Sequence, residues 1–132
     1  MRIPFLSDRR ERAQAAARAA AREGDAILLD RLAEQGGWAA PRHWVHFLYA
    51  PGEIGARQAE IAARAAGWDI RRIGRPEVGP GRVIVVEKHG ATVEPATVAA
   101  AREFFEDLAG RISGGVYDGW EASERPDPTV KA

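Results

Sequence analysis

With no cysteine among its 132 residues, the chain offers three histidines, three serines and its carboxylates as the first candidates for chemistry. Thiol catalysis, disulfides and Cys-ligated zinc or iron–sulfur sites are thereby excluded. His43 and His46 lie three apart in His43-Trp44-Val45-His46-Phe47-Leu48-Tyr49, an aromatic and branched run that predicts a strand. On a strand that spacing sends the two imidazoles to opposite faces. A shared metal ion is not expected, and His89 falls at the end of a different strand. Ser7, Ser113 and Ser123 sit in no nucleophile elbow; around the second the chain reads Arg111-Ile112-Ser113-Gly114. The glycine-rich stretch 74–81 lacks the Lys-Ser/Thr ending of a phosphate loop and reads as a hairpin connection. The expectation is therefore no catalytic residue, no metal and no cofactor.

Two groups of residues remain as candidates for binding. Glu103, Glu106 and Asp107 cluster at helical spacing. General acid–base work needs a pocket and perturbed pKa values, so a solvated acidic helix face is the favoured reading, and such a face can dock a partner. Tyr117-Asp118-Gly119-Trp120 offers Tyr117, Asp118 and Trp120 as an interacting strand edge, with Gly119 permitting a bulge or a close approach. Trp44, Trp68 and Trp120 are expected to pack in the core. RNA-binding sheets stack bases on aromatics of two neighbouring strands. Here Trp44, Phe47 and Tyr49 share one strand, but 82–88 has no aromatic, so direct nucleic-acid binding is not expected.

The elements that must hold these residues follow from composition and periodicity. Ala makes up 26 residues and much of it lies in 7–23, an Ala/Arg-rich stretch with nothing large to bury. Residues 1–24 therefore read as a helical or frayed arm. Gly24-Asp25 offers a break and a new N-cap, and Leu28, Leu29 and Leu32 form the stripe of a separate helix over 26–35. After Gly36-Gly37 come a strand at 43–49, a helix at 53–66 with Ile54, Ile61, Ala62 and Ala65 on its face, and strands at 68–73 and 82–88. A helix opened by Glu94-Pro95 carries Val98, Ala101, Phe105, Leu108 and Ile112, and a strand at 116–122 closes the domain. Residues 124–132 read as a disordered tail.

From 43 onward the order β-α-β-β-α-β predicts an α+β, ferredoxin-like sandwich with an additional N-terminal helix and strand order 4-1-3-2. Its two repeat helices cover one sheet face, leaving the other to the 26–35 helix or to a second subunit. The oligomeric state is not set by the sequence.

The 19 basic and 19 acidic side chains cancel, so no global field draws the chain to nucleic acid or anionic membrane. That zero is a sum of unlike parts: +3 over 1–24, −2 over 25–40, +3 over 41–75 and −4 over 76–132. No apolar run approaches the roughly 18 residues of a membrane span, and no signal-peptide core follows Met1. A cytoplasmic protein with no membrane contact is expected.

Four blocks carry a resemblance over 25–122: Asp25-Ala-Ile-Leu-Leu-Asp-Arg-Leu, Gly36-Gly37, Pro41-Arg42-His43-Trp44-Val45-His46-Phe47-Leu48-Tyr49, and Val116-Tyr117-Asp118-Gly119-Trp120-Glu121. On these the chain resembles the regulator of ribonuclease E activity B family, RraB. The resemblance implies a ferredoxin-fold domain over 25–123 that is not an enzyme. It also implies a protein partner, a ribonuclease E-type endoribonuclease, whose RNA turnover it modulates. An acidic surface would suit a basic region of such a nuclease. The stretch Ala50-Pro51-Gly52-Glu53-Ile54 through Trp68-Asp69-Ile70 is similar to the ligand-binding part of ACT domains. That alternative implies a small-molecule-sensing module.

Overall fold

The computed structural model describes residues 4–129. Their order is α1 (Pro4–Glu34), β1 (Arg42–Ala50), α2 (Glu53–Ala65), β2 (Asp69–Gly74), β3 (Arg82–Ala91), α3 (Pro95–Gly110) and β4 (Val116–Ala122). The four strands form one sheet in the order β2-β3-β1-β4, and every neighbouring pair is antiparallel. Read from the other edge this is 4-1-3-2. β1 and β3, the strands richest in large apolar residues, lie in the middle.

The first 31-residue helix corrects the expected break at Gly24-Asp25. A glycine costs a helix interior only about 1 kcal/mol relative to alanine. Alanines before it and leucines after it favour continuation, so α1 runs through. Residues 11–20 are exposed, and packing begins at Asp25, with Leu28, Leu29 and Leu32 following on the same side.

Those leucines also settle where α1 lies. Leu29 and Leu32 join the cluster built from Trp44 and Leu48 of β1, Trp68, and Phe105 and Leu108 of α3. Thus α1 packs on the same sheet face as α2 and α3, not across the sheet as expected. The outer face carries the alternate residues His43, Val45, Phe47 and Tyr49 of β1. It also carries Val83, Val85 and Glu87 of β3, which sit opposite Tyr49, Phe47 and Val45. Val85 is nonetheless buried, flanked in register by Phe47 on one side and Arg72 on the other. Long neighbours do there what a covering layer was expected to do.

The helix α2 meets the sheet through Ala56, Ala59 and Ala63. Ile54 and Ile61, expected on that face, are 82% and 57% exposed. Small residues face the sheet because the approach is close. A Cβ on Gly55 would come within 2.7 Å of the Ile112 side chain and 3.1 Å of Ala50. The α3 stripe is as expected, with Val98, Ala101, Phe105, Leu108 and the following Ile112 all buried. Its start is fixed by a capping box between Glu94 and Thr97, with Pro95 in the first turn.

The end of α1 is held by an unusual group. Arg42 is wholly buried at the start of β1. Its guanidinium donates to the carbonyls of Gln35 and Gly37 at 2.6 Å and of Leu32 at 3.2 Å. A helix leaves its last carbonyls without partners, and a cation there also meets the negative end of the helix dipole. The side chain of the first strand thus caps the first helix.

Residues 124–129 do not form the disordered tail expected of them; 130–132 lie outside the described residues. The Asp127 N–H donates to the Pro41 carbonyl at 2.7 Å, and its side chain is buried. Burial would raise its pKa, but hydrogen bonds from Thr129, His89 and the Gly90 N–H outweigh that and hold it well below the usual carboxylate range. Backbone and side-chain bonds together fold the segment back onto the ends of β1 and β3.

Candidate functional site

A β-bulge in β4 creates the most unusual arrangement in the molecule. His46 of β1 pairs with Trp120 and Leu48 pairs with Tyr117, so Phe47 alone stands opposite Asp118 and Gly119. Gly119 has φ +90°, a conformation that glycine adopts without steric strain. Strict alternation would put Tyr117 and Trp120 on opposite faces. The extra residue puts both on the helix side.

There they complete a polar network inside the core. Asp25 of α1 receives two hydrogen bonds from Arg102 of α3, through Nε and, at 2.8 Å, through Nη2. The Trp120 indole N–H donates to the same carboxylate at 2.8 Å. Arg102 also donates to Glu106 at 3.1 Å and lies 5.0 Å over the Tyr117 ring. The Tyr117 hydroxyl is 2.8 Å from His46 Nδ1. Asp25, Arg102 and His46 are all buried. Hydrogen bonds to the Asp25 carboxylate raise the Arg102 pKa further, so the guanidinium stays charged. Burial pushes the Tyr117 phenol above its usual range despite the Arg102 charge, so it stays neutral.

Buried His46 packs on Phe105 at 4.4 Å between ring centroids and edge-on against Trp68 at 4.7 Å. Burial, with the Arg102 and Lys88 charges adding to it, pushes its pKa down to about 3. An unfolded histidine titrates near about 6.5, so the unfolded chain binds more protons between these values. Stability is therefore complete above about pH 6.5 and falls as the pH drops, by about 2 kcal/mol at pH 5 from this group. Urea denaturation at pH 7.5 and pH 5 measures the difference. The variant His46→Gln should lose that part of the slope, and an unchanged slope would count against the assignment.

Above the network, α1 and α3 enclose an open groove of about 560 Å³. Its floor includes Asp25, Leu29, Val98 and Arg102, and its wall carries Glu103, Glu106 and Asp107. The three carboxylates expected to share a helix face therefore line one groove, with Glu103 and Asp107 exposed and Glu106 half-buried on Arg102. Asp118 is exposed on β4, an edge strand. Tyr117 is half-buried and Trp120 is 8% exposed. Both point inward, where they position Arg102 and Asp25 rather than present a surface.

A scan against protein families matches residues 22–122 to RraB, described as regulator of ribonuclease activity B. The chain belongs to the RraB family. A comparison with curated proteins yields no match. Every member of the network, from Asp25 to Trp120, lies inside the matched span. RraB is a family of regulators of ribonuclease activity, and such a role asks for a surface that a protein partner can meet. No helix among the described residues is long and apolar enough to cross a membrane.

Sequence reasoning missed Asp25, Arg102 and His46 as a connected set. The signal was present: Arg102 interrupts the stripe of Val98 and Phe105, and Asp25 stands one turn before Leu29 on its own. A charge on an apolar stripe calls for a buried partner. The two histidines of β1 do face opposite ways. His46 enters the core, whereas His43 meets Glu87 and His89 on the outer face, a cluster that the sequence did not bring together.

Proposed function

We propose that this chain restrains RNA degradation by binding a ribonuclease E-type endoribonuclease in the cytoplasm, with no catalysis of its own. The observation that carries the reading is the acidic wall of the α1–α3 groove, in a chain of a ribonuclease-regulating family. Asp25 and Arg102 neutralise each other on the floor, and the exposed Arg22 offsets only one of Glu103, Glu106 and Asp107, so the groove keeps a negative sign for an approaching partner. A basic segment of the nuclease is the complementary ligand. Asp118, on the exposed edge of β4, is a second contact for the same partner, and Tyr117 and Trp120 contribute by holding the groove floor in place.

Direct RNA binding has less support. The outer face offers Phe47 and Tyr49 on β1, but the facing positions of β3 are Val83, Val85 and Glu87, so bases find no stacking platform across two strands. The fold reading that accompanies this function is ferredoxin-like. Its support is the strand order, the antiparallel pairing and the placement of α2 and α3 on one face. Family membership favours this regulator over a small-molecule sensor, although Pro51 to Gly55 do line an open cavity of about 450 Å³ beside Ile112.

The test mixes purified chain with the ribonuclease E homologue of its host and follows cleavage of an RNA substrate. Co-elution and slowed cleavage are expected. The double variant Glu103→Lys/Asp107→Lys should bind on the order of tenfold more weakly, chiefly through slower association that depends on salt. Cleavage at the same rate with and without the chain, and no co-elution, would remove this partner.

A further inference from the structure

On the sheet face opposite the groove, His43 of β1 meets Glu87 and His89 of β3. His43 Nε2 lies 2.9 Å from Glu87 Oε2, and His89 Nε2 lies 3.5 Å from Glu87 Oε1. The two imidazoles are stacked, parallel to within 2°, with centroids 4.3 Å apart. One donor atom from each of the three side chains falls within 4.8 Å of the other two.

The protonation of His89 is constrained by a fourth residue. Its Nδ1 is 2.8 Å from Asp127 Oδ2. A carboxylate only accepts, so Nδ1 carries the proton. In the neutral ring Nε2 then presents a lone pair toward Glu87 Oε1, which is also an acceptor. Nε2 is thus the nitrogen left available to a metal ion. Asp127 is itself held rigidly, by the N–H groups of Gly90 and Thr129 and by the Thr129 hydroxyl. A buried carboxylate that fixes the far nitrogen of an imidazole is the arrangement found behind metal-ligating histidines.

We propose that His43 Nε2, His89 Nε2 and the Glu87 carboxylate form a binding site for a divalent transition ion of the zinc type, with Asp127 orienting His89. Two imidazoles and one carboxylate are the protein donors of a zinc site whose fourth position is open to water. Imidazole nitrogen selects transition ions over magnesium or calcium. Tetrahedral donors around zinc sit about 3.3 Å apart, so the rings splay from their stack and close on the ion. His43 and His89 are 26% and 41% exposed, which leaves them room to turn. Arg71, whose Nε lies 3.9 Å from Glu87 Oε2, is half exposed and moves aside. Bound there, the ion joins β1 to β3 and, through His89 and Asp127, secures the segment after β4.

The experiment uses untagged chain stripped with chelator and titrated with zinc chloride at pH 7.5, followed by calorimetry and by thermal unfolding. One ion per chain and a melting temperature that climbs with zinc concentration are expected. His43→Gln/His89→Gln should abolish the stoichiometric heat while the far-ultraviolet circular dichroism stays that of the parent. Asp127→Asn should weaken binding by about 10–100-fold without changing the stoichiometry. Absence of heat and of any shift in melting overturns the proposal. Equal binding by the double-histidine variant overturns it as well.

Discussion

Arg102→Ala is expected to lower the stability of the chain by about 3–5 kcal/mol, because it leaves the Asp25 carboxylate buried without its cation. Asp25 would keep one hydrogen bond, from the Trp120 indole, and lose two. Glu106 and the Tyr117 ring would lose their contacts with the guanidinium at the same time. Asp25→Ala should be similarly damaging, since it strands the guanidinium instead. The pair replaced together behaves differently. Exchanging a buried ion pair for well-packed apolar residues is often neutral or better, so Asp25→Leu/Arg102→Met should recover much of what either single change loses. Urea denaturation of the parent, Asp25→Leu, Arg102→Met and the double variant closes the cycle and gives the coupling energy directly. A double variant as unstable as the sum of the two single losses would show that the residues act separately.

The second large effect belongs to Arg42. Arg42→Met keeps most of the apolar stem and removes the guanidinium that satisfies three carbonyls at the end of α1. The loss should reach about 1–3 kcal/mol: the buried Leu32 carbonyl keeps the Gln35 and Gly37 N–H groups, whereas the carbonyls of Gln35 and Gly37, partly open to water, lose their charged donor. Arg42→Lys should rescue little, because one ammonium cannot reproduce a planar fork spread over Leu32, Gln35 and Gly37. The two variants also differ from Arg102→Ala in where they act. Hydrogen exchange should accelerate first in the last turns of α1, around residues 28–36, before the sheet opens. Uniform acceleration across all elements would argue that Arg42 has no local role.

Much of this architecture was legible in the chain because it rests on periodicity. The 43–49 and 82–88 runs announced central strands, and Val98, Ala101, Phe105, Leu108 and Ile112 announced the buried side of α3. The errors came where a local signal competed with packing. Gly24 looked like a boundary, but its cost is small beside what Asp25, Leu29 and Leu32 gain on the domain. Ile54 and Ile61 looked like the buried face of α2, but a helix this close to the sheet has space only for alanine. The tail looked unanchored because its anchor, Asp127, finds partners 37 and 38 residues away. Of the candidate site, Glu103, Glu106 and Asp107 were readable from spacing. The pairing of Asp25 with Arg102 spans 77 residues and depends on tertiary structure alone.

The single extra residue at Gly119 has a wider meaning than its local geometry. A strand counts in twos, and Tyr117 and Trp120 are an odd number apart, so their agreement is a parity change written into the chain. On one side of it the even rule carries Tyr117 to His46 of the neighbouring strand. On the other it carries Trp120 to a carboxylate on the first helix. One glycine thus lets a seven-residue edge strand address two different layers of the molecule at once, and links the histidine of the sheet with the floor of the helical groove.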